Sequence, residues 1–266
     1  RDRLRSRGLG DVYKRQVCLD ANNEPLRDII LWLDKRTVDP NGAMPAKNMM
    51  LFKVAGMEPT AKVVYAASVG NWIMRHEPEI WARTAKYVML PTYLNYKLTG
   101  NLIDSASNQI GHIPFDYKNR RWMKPGSLTR CFCDVPNEKL CDLVPSGTVI
   151  GTVTDEVCAL TGIPAGLPLI STGSDKGCET LGLAVVDSDK ASISLGTTAT
   201  IQFSTTEYVE PQQFLPAYPG VLNDHYNPEI EIYRGLWLLS WFVKEFGTAD
   251  AIDAKEKGIA PEALLD

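Results

Sequence analysis

The chain has 266 residues, a formal net charge of −4 and a hydrophobic fraction of 44%. This length and composition are typical of a folded soluble protein with one large domain or two smaller ones. No apolar run approaches the roughly 18 residues that a membrane-spanning helix needs. Basic residues form no large patch beyond the N-terminus, so we expect neither a membrane nor nucleic acid as a partner.

The first 16 residues differ from the rest of the chain in charge. Residues 1–16 hold six Arg or Lys and two Asp, a net +4, which leaves −8 on the remaining 250 residues. They resemble translated adapter sequence, and we set them aside as non-native. A basic tail that contacts acidic partners is the alternative. The charged N-terminus lacks the apolar core of a secretory signal, so we expect a cytoplasmic protein.

The six cysteines are expected to be reduced thiols, because no secretory signal precedes them. Cys131, Cys133 and Cys141 lie close together in sequence. Their spacing is not the usual C-x2-C pair and no His is near them, so the sequence predicts no metal site.

The first predicted element is a β-hairpin over residues 17–33, with a turn rich in Asn. Trp32, Asp34 and Arg36 lie at its end. An aromatic ring, a carboxylate and a guanidinium together suit a polyol, with the ring against carbon and the charges toward hydroxyls. From these residues alone, a buried Trp beside a surface ion pair is the more ordinary explanation.

The middle of the chain alternates predicted helices and strands. Helices are predicted at residues 45–56, 61–76 and 91–98, a strand at 86–90, and a helix with loops at 125–143. A further strand at 149–153 leads into a helix that Thr154 caps and that ends at Thr161-Gly162.

The strongest functional signal lies after this helix. Residues 167–172 are predicted to form a strand, Gly173-Ser174-Asp175 a turn, and residues 176–186 a helix. A carboxylate between a buried strand and a helix is well placed for a general base, so Asp175 is the candidate catalytic residue. From spacing alone, a helix-capping role for Asp175 is the more ordinary explanation.

Two strands are predicted next, at residues 191–195 and 199–203, joined by Gly196-Thr197-Thr198. The backbone N–H groups and two hydroxyls of this turn suit a phosphate, although an ordinary hairpin turn has the same composition. After these strands the sequence pattern is less distinct. It predicts a strand at 230–233 and an apolar core helix at 235–246.

Several segments together resemble the FGGY carbohydrate kinases over about residues 17–247. Gly173-Ser174-Asp175-Lys176 is similar to the family's G-G-G-D-Q-like catalytic turn, and Ser194-Leu195-Gly196-Thr197-Thr198 to its S-L-G-T-S-like hairpin. Trp32, Asp34 and Arg36 match the family's I-x-W-x-D-x-R segment at the sugar site, and Asp104-Ser105-Ala106-Ser107 matches its T-D-x-S-x-A-S element.

The resemblance implies an α/β chain with the actin-like ATPase (ribonuclease H-like) fold, a mixed sheet flanked by helices, truncated at both ends. Residues 17–186 are then most of an N-terminal sugar-binding domain, and residues 187–266 are the start of a C-terminal ATP-binding domain. Complete members of the family are roughly twice as long, so the resemblance implies an internal fragment that is inactive alone.

The implied reaction is ATP-dependent phosphorylation of a sugar or polyol hydroxyl, with a ketopentose or polyol as the expected acceptor and Mg²⁺ bound to the polyphosphate. Asp175 would accept the hydroxyl proton. The resemblance assigns Trp32, Asp34, Arg36, Asp104, Asp175 and Lys176 to the substrate, and Gly196, Thr197 and Thr198 to the ATP phosphates. The expected partner is a small-molecule sugar or polyol. The sequence leaves open whether the protein forms a homodimer.

Two departures from the family pattern leave alternatives open. Lys176 stands where the family has Gln or Asn, and a nearby ammonium would lower the pKa of Asp175. Thr92 replaces a frequent family Asp, whose role is therefore not carried over. One alternative is a non-catalytic sugar- or nucleotide-binding relative. The other is a structural or regulatory actin-like ATPase without a sugar acceptor.

Overall fold

A computed structural model describes residues 16–30, 34, 36–196, 199–212, 215–232, 235 and 237–264, without the side chains of residues 237, 239 and 262. The helices are α1 (Ala46–Val54), α2 (Glu58–Ala66), α3 (Val69–His76), α4 (Pro78–Arg83), α5 (Leu90–Thr99), α6 (Asp155–Thr161), α7 (Asp175–Gly182), α8 (Trp237–Glu245) and α9 (Thr248–Lys257). The strands are β1 (Gln16–Leu19), β2 (Lys86–Met89), β3 (Ile103–Ser105), β4 (Phe115–Asp116), β5 (Arg121–Trp122), β6 (Asp142–Val144), β7 (Val149–Thr152), β8 (Pro168–Ile170), β9 (Ala191–Leu195), β10 (Ala199–Phe203), β11 (Tyr218–Pro219), β12 (Tyr226–Asn227) and β13 (Glu229–Ile232). In this part of the chain, no helix is long and apolar enough to span a bilayer.

The N-terminal core is built on β1 and β2, which pair antiparallel with Val17 opposite Val88. Both faces of this pair are covered. Cys18 and Tyr87 pack with Ile73 on one side, and Val17 and Val88 pack in a second cluster on the other. Burial on both faces explains why β1 is a continuous apolar run rather than an alternating one.

The predicted hairpin over residues 17–33 is wrong over the described part of its second strand, since residues 31–33 lie outside the described residues. The chain does turn after β1, and the Leu26 N–H donates to the Cys18 carbonyl at 2.9 Å. Residues 26–30 nevertheless form no strand, and β1 pairs with the distant β2 instead. The distant pairing is favoured because β2 buries Tyr87 and Val88, whereas Arg27 and Asp28 would have to be buried if the local strand took its place.

Two helix predictions also need correction. The helix predicted over residues 61–76 is interrupted at Ser68, whose Oγ accepts the Asn71 N–H and caps α3. The helix predicted within residues 125–143 is replaced by two short 3₁₀ turns, Leu128–Phe132 and Asn137–Lys139. Pro125 and Pro136 lack the N–H groups that a continuous helix there would use.

Two strand pairs, β3–β6 and β7–β8, lie between α5 and α7. β3 and β6 are parallel, and β7 and β8 are antiparallel. Between β7 and β8, α6 begins where Thr154 Oγ1 accepts the Val157 N–H and ends at Gly162, which has a φ of 77°. This confirms the predicted cap and stop. β8 is the last strand before α7.

The antiparallel sheet of β9, β10 and β13 has two faces of opposite character. Ser192, Thr200 and Gln202 are buried on the face toward α7. The other face carries apolar side chains that are 44–65% exposed: Ile193, Leu195, Ile201, Ile230 and Ile232. The sheet therefore turns its polar side inward and its apolar side outward.

The helix predicted over residues 235–246 is present as α8, but its predicted burial is wrong. Leu238, Trp241 and Phe242 are each 42–45% exposed. Trp241 and Phe242 contact Phe246 with ring centroids 5.6 and 5.5 Å apart. These contacts join aromatic side chains of this short segment to one another rather than to the main core.

Candidate active site

Asp175 lies at the N-terminus of α7. The cap of this helix is Ser174, whose Oγ accepts the Gly177 N–H at 3.1 Å, so Asp175 is the first helical residue rather than the cap. Its Oδ1 accepts the Lys176 N–H at 2.6 Å, and the residue is half-buried. The helix N-terminus carries a partial positive charge, which favours the ionised carboxylate and an anionic ligand beside it.

Two contacts fix how α7 lies on β9. Thr180 Oγ1 lies 3.3 Å from Ser192 Oγ, and the Lys176 ammonium donates to Ser194 Oγ at 2.8 Å. Four residues of helix rise about 6 Å and two residues of strand about 6.6 Å, so the two elements run antiparallel in matching steps. Gly196 is the next residue in this register and lies just beyond β9, so extrapolation of the register brings it toward the N-terminal end of α7.

The register therefore directs the start of the Gly196-Thr197-Thr198 turn to the end of α7 that carries Asp175. Thr197 and Thr198 lie outside the described residues, as does Trp32. Gly196 is described and is exposed.

A cleft of about 340 Å³ opens between α7 and the β9–β10 hairpin. Lys176 and Glu179 line it on the helix side, and Ser194, Thr200 and Gln202 line it on the sheet side. The Lys176 ammonium donates to Glu179 Oε2 at 2.8 Å as well as to Ser194. The Lys176 ammonium therefore lies beside the helix, between Glu179 and β9.

Asp104 is a buried carboxylate whose two oxygens are both engaged, and it is 2% exposed. Thr92 Oγ1 donates to Oδ2 at 2.6 Å and the Ser105 N–H donates to Oδ1 at 2.8 Å. The side-chain amides of Asn108 and Gln109 donate at 3.0 and 3.2 Å. Desolvation raises the pKa of Asp104, and these hydrogen bonds oppose the rise.

A chain of serines connects this buried carboxylate to the turn before Asp175. The Ser107 N–H donates to Ser105 Oγ at 3.0 Å, and the Ser174 N–H donates to the Ser107 carbonyl at 3.1 Å. Ser146 lies within hydrogen-bond distance of Ser105 Oγ and donates to the Thr172 carbonyl at 2.9 Å. One hydrogen-bonded network thus runs from Asp104 to Ser174, the residue that precedes Asp175.

Asp34 and Arg36 form an exposed ion pair at 2.6 Å. The Arg36 guanidinium lies 4.3 Å from the centroid of the Trp72 ring. Hydrogen bonds from Arg36 hold the pKa of Asp34 below its ordinary value. This pair forms a separate polar group beside α3.

The cysteines remain free thiols in the part of the chain that the structure describes, where no three His, Cys, Asp or Glu residues gather as a metal site would need. Burial raises the pKa of Cys133 to about 11 and that of Cys141 to about 12. These two thiols are therefore protonated at neutral pH and are poor nucleophiles or metal ligands.

The loop at residues 220–225 packs against the candidate site, and no sequence motif marks it. Val221 packs on the turn before Asp175, where a Cβ placed on Gly173 would lie 2.8 Å from Val221 Cγ2. The Ser107 hydroxyl donates to the Gly220 carbonyl at 2.6 Å. A Pro-Gly pair such as Pro219-Gly220 is typical of a turn, but local composition does not specify which distant surface a turn contacts.

Residues 7–182 match the N-terminal domain of the FGGY family of carbohydrate kinases, and the chain belongs to this family. It is 32% identical to a protein of Escherichia coli K12 named uncharacterized sugar kinase YgcE, over 97% of this chain and 45% of that protein. It is 26% identical to the xylulose kinase of the same organism, over 93% of this chain and 50% of the relative.

The fold is also that of solved members of the family. A ligand-bound xylulose kinase from Lactobacillus acidophilus superposes with a TM-score of 0.70 at 20% identity, covering 95% of this chain and 49% of that chain. The predicted family and the predicted actin-like ATPase fold are thereby confirmed. The chain spans about half the length of the curated relatives that it matches, 45% and 50% for the two above.

Proposed function

We propose that the protein of which this sequence is part transfers the γ-phosphoryl group of ATP to a hydroxyl of a sugar or polyol. The observation that carries the proposal is the register between α7 and β9, which directs the Gly196 turn toward the helix end that bears Asp175. This register supports the proposal, because phosphoryl transfer needs the general base and the phosphate-binding turn to lie close together.

In the proposed step, a substrate hydroxyl oxygen attacks the γ-phosphorus of ATP as its proton passes to the Asp175 carboxylate. The bond from the γ-phosphorus to the β,γ-bridging oxygen breaks, and ADP leaves. Gly196, Thr197 and Thr198 are proposed to bind the phosphates, together with the positive end of α7. Mg²⁺ would neutralise the charge of the polyphosphate, and in the described part of the chain no group of three His, Cys, Asp or Glu residues is placed to hold it.

The substrate assignments remain proposals. Trp32, Asp34 and Arg36 are proposed to lie at the sugar site, as the family resemblance implies, and xylulose is the first candidate because two relatives bear the name xylulose kinase. For Asp104, the saturated hydrogen bonding favours support of the site over direct contact with substrate. A cytoplasmic location, a domain boundary between residues 186 and 187, and a homodimer also stay predictions.

The assay uses the longest native open reading frame that contains this sequence. ADP formation from ATP and Mg²⁺ is measured with D-xylulose, other ketoses, glycerol and gluconate, in wild type and Asp175→Asn. We expect sugar-dependent turnover that falls in the variant by about 10²–10⁴-fold, the usual contribution of a general base.

Asp187→Asn is the matched control, because Asp187 is an exposed aspartate just beyond α7 that pairs only loosely, at 3.5 Å, with Lys190. It should leave turnover unchanged. Full turnover in Asp175→Asn would remove Asp175 as the base. Ligand binding without turnover by the wild type would favour the non-catalytic relative instead.

A further inference from the structure

The loop at residues 220–225 is closed on itself. The Gly220 N–H donates to the His225 carbonyl at 2.8 Å, and the His225 N–H donates to the Leu222 carbonyl at 2.9 Å. A Cβ on Gly220 would lie 2.9 Å from Asn227 Oδ1 and 3.1 Å from the His225 oxygen. Glycine is thus required at residue 220 for the loop to close in this form.

This loop packs directly on the turn that carries Asp175. Val221 Cγ2 occupies the space beside Gly173 and Gly177, at 2.8 and 3.3 Å from where their Cβ atoms would lie. Ser107 joins the two segments, since its hydroxyl donates to the Gly220 carbonyl and its own carbonyl accepts the Ser174 N–H. Displacement of the loop would therefore displace the turn.

The β4–β5 hairpin holds the loop from the other side through Arg120. The Arg120 guanidinium donates to the Asn223 carbonyl, and to the His225 carbonyl at 3.1 Å. It also lies 4.4 Å from the centroid of the Tyr226 ring. Tyr226 completes the contact, because its hydroxyl donates to the Lys118 carbonyl at 2.6 Å.

The contacts of Arg120 differ from those of an ordinary surface arginine. Its Nη1 and Nη2 groups donate to two backbone carbonyls of one loop, which fixes the loop backbone, while its Nε is buried without a hydrogen-bond partner. Arg120 also has a φ of 53°, in the left-handed region that non-glycine residues rarely adopt. Such strain persists where surrounding contacts determine the conformation, and it is concentrated at functional sites.

We propose that Arg120 is a positioning residue for the phosphoryl-transfer site. It fixes the 220–225 loop, and through Val221 and Ser107 the loop fixes the turn that presents Asp175. This inference rests on the proposed role of Asp175 as the base, but the mechanical link from Arg120 to the turn is testable without turnover.

The first test measures amide hydrogen exchange of this chain in wild type, Arg120→Gln and Tyr226→Phe. In Arg120→Gln, we expect exchange to quicken about tenfold or more in peptides covering residues 172–177 and 220–226, with the β1–β2 core unchanged. Tyr226→Phe retains the stacked ring and loses one hydrogen bond, so we expect a smaller increase in the same peptides.

Arg121→Gln is the matched control, because Arg121 is the next residue on the hairpin, is exposed and lies 3.7 Å from Asp116. It should leave exchange in both peptides at the wild-type rate. Unchanged exchange at residues 172–177 in Arg120→Gln would overturn the proposal. A uniform increase over the whole chain in both Arg120→Gln and Tyr226→Phe would also overturn it, since that is the result of a merely structural role.

The second test measures steady-state kinetics in the longest native reading frame. Arg120→Gln should lower kcat about 10–100-fold with little change in either KM, because misplacement of a catalytic group costs rate rather than affinity. Arg120→Lys should recover part of kcat. If the wild type showed no turnover, that result would contradict only the proposed function. The exchange test would still decide the role of Arg120.

Discussion

The ammonium of Lys176 joins the helix that carries Asp175 to the strand that leads to the proposed phosphate turn. It donates to Glu179 on its own helix and to Ser194 on β9, both at 2.8 Å. The sequence-based prediction placed Lys176 in contact with substrate. Its position against β9 favours a role on the ATP side of the site, where it would hold the hairpin for the phosphates.

Lys176→Met should therefore raise the KM for ATP about five- to tenfold and leave the KM for sugar within about twofold, because it removes the tie to Ser194 while Asp175 remains. Stability should fall by less than about 1 kcal/mol, because the Lys176–Glu179 ion pair is partly solvated. Steady-state kinetics of both substrates check this in the longest native reading frame. Glu179→Gln keeps the Lys176–Ser194 bond and should change neither KM. A rise in the KM for sugar alone would contradict this prediction and would support contact between Lys176 and the substrate.

Asp104 gives a prediction about stability rather than turnover. Asp104→Asn would set an amide N–H₂ against the donor groups of Asn108 and Gln109, leaving buried donors unpaired. We expect the free energy of unfolding to fall by about 1–3 kcal/mol at neutral pH. Urea denaturation of this chain measures it, with Asp142→Asn on the adjacent strand as the exposed control. Equal midpoints for Asp104→Asn and wild type would contradict the assignment.

The raised pKa of Asp104 adds a pH dependence of definite sign. Between its ordinary pKa of 3.8 and its higher pKa in the folded chain, the native state holds more protons than the unfolded state. The contribution of Asp104 to stability therefore falls as pH rises through this window. The stability difference between wild type and Asp104→Asn should be larger at acid pH than at neutral pH. A difference that grows with rising pH would contradict the raised pKa.

At the level of elements, the turn before α7 depends on the absence of a side chain at Gly173. A Cβ there would lie 2.8 Å from Val221 Cγ2, so Gly173→Ala forces the turn and the 220–225 loop apart. We expect turnover of the longest native reading frame to fall about tenfold or more, since the shift moves Asp175. In this chain the free energy of unfolding should fall by about 1–3 kcal/mol, the usual cost of overpacking.

Gly182→Ala on the same helix is the matched control. No atom lies within 4 Å of the Cβ position at Gly182, and alanine is the better helix former by about 1 kcal/mol. This variant should be as stable as the wild type or slightly more so, with unchanged turnover. Equal effects of the two variants would contradict the packing of Val221 on Gly173.

Elements with a strong local pattern were predicted well. The bounds predicted for β9 and β10 agree with the structure, because alternation between a polar and an apolar face specifies a strand without reference to distant residues. α7 ends at Gly182 rather than near residue 186, since Ala184 adopts a φ of 57° that breaks the helix. The Ala184 N–H donates to the Leu181 carbonyl and the Val185 N–H to the Thr180 carbonyl, which closes the helix end locally. Gly or Asn is the usual sequence signal for such an end, and alanine does not give that signal.

At the level of the whole molecule, the parts that sequence did not predict are those decided by distant pairing. β1 pairs with β2 rather than with residues 26–30, and the 220–225 loop is placed by Ser107 and Arg120. Both outcomes depend on which distant surfaces pack together when the whole chain folds. For the candidate site, the family resemblance indicated Asp175, the Gly196 turn and the motifs that contain the supporting serines. The contacts of those serines, and Arg120 itself, were found only in the structure.

The outer face of the β9–β10–β13 sheet leads to a prediction for the chain as a whole. Its five large apolar side chains are 44–65% exposed and contiguous, with Ile201 opposite both Ile193 and Ile230. A contiguous apolar patch of this kind promotes association, unlike single exposed apolar residues. We therefore expect this chain in isolation to self-associate, with a sedimentation coefficient that rises with protein concentration.

A charged pair on this face should weaken the association. Ile193→Glu with Ile201→Lys sets opposite charges directly across two strands, which the sheet tolerates because both positions are exposed. Sedimentation velocity should then show a smaller dependence on concentration, with far-UV circular dichroism unchanged. Val54→Glu with Val63→Lys is the control, because those residues are 80% and 67% exposed on α1 and α2, away from the sheet. If both double variants reduced association equally, net surface polarity would be the cause. A specific loss in the sheet variant alone would assign the association to the outward apolar face of β9, β10 and β13.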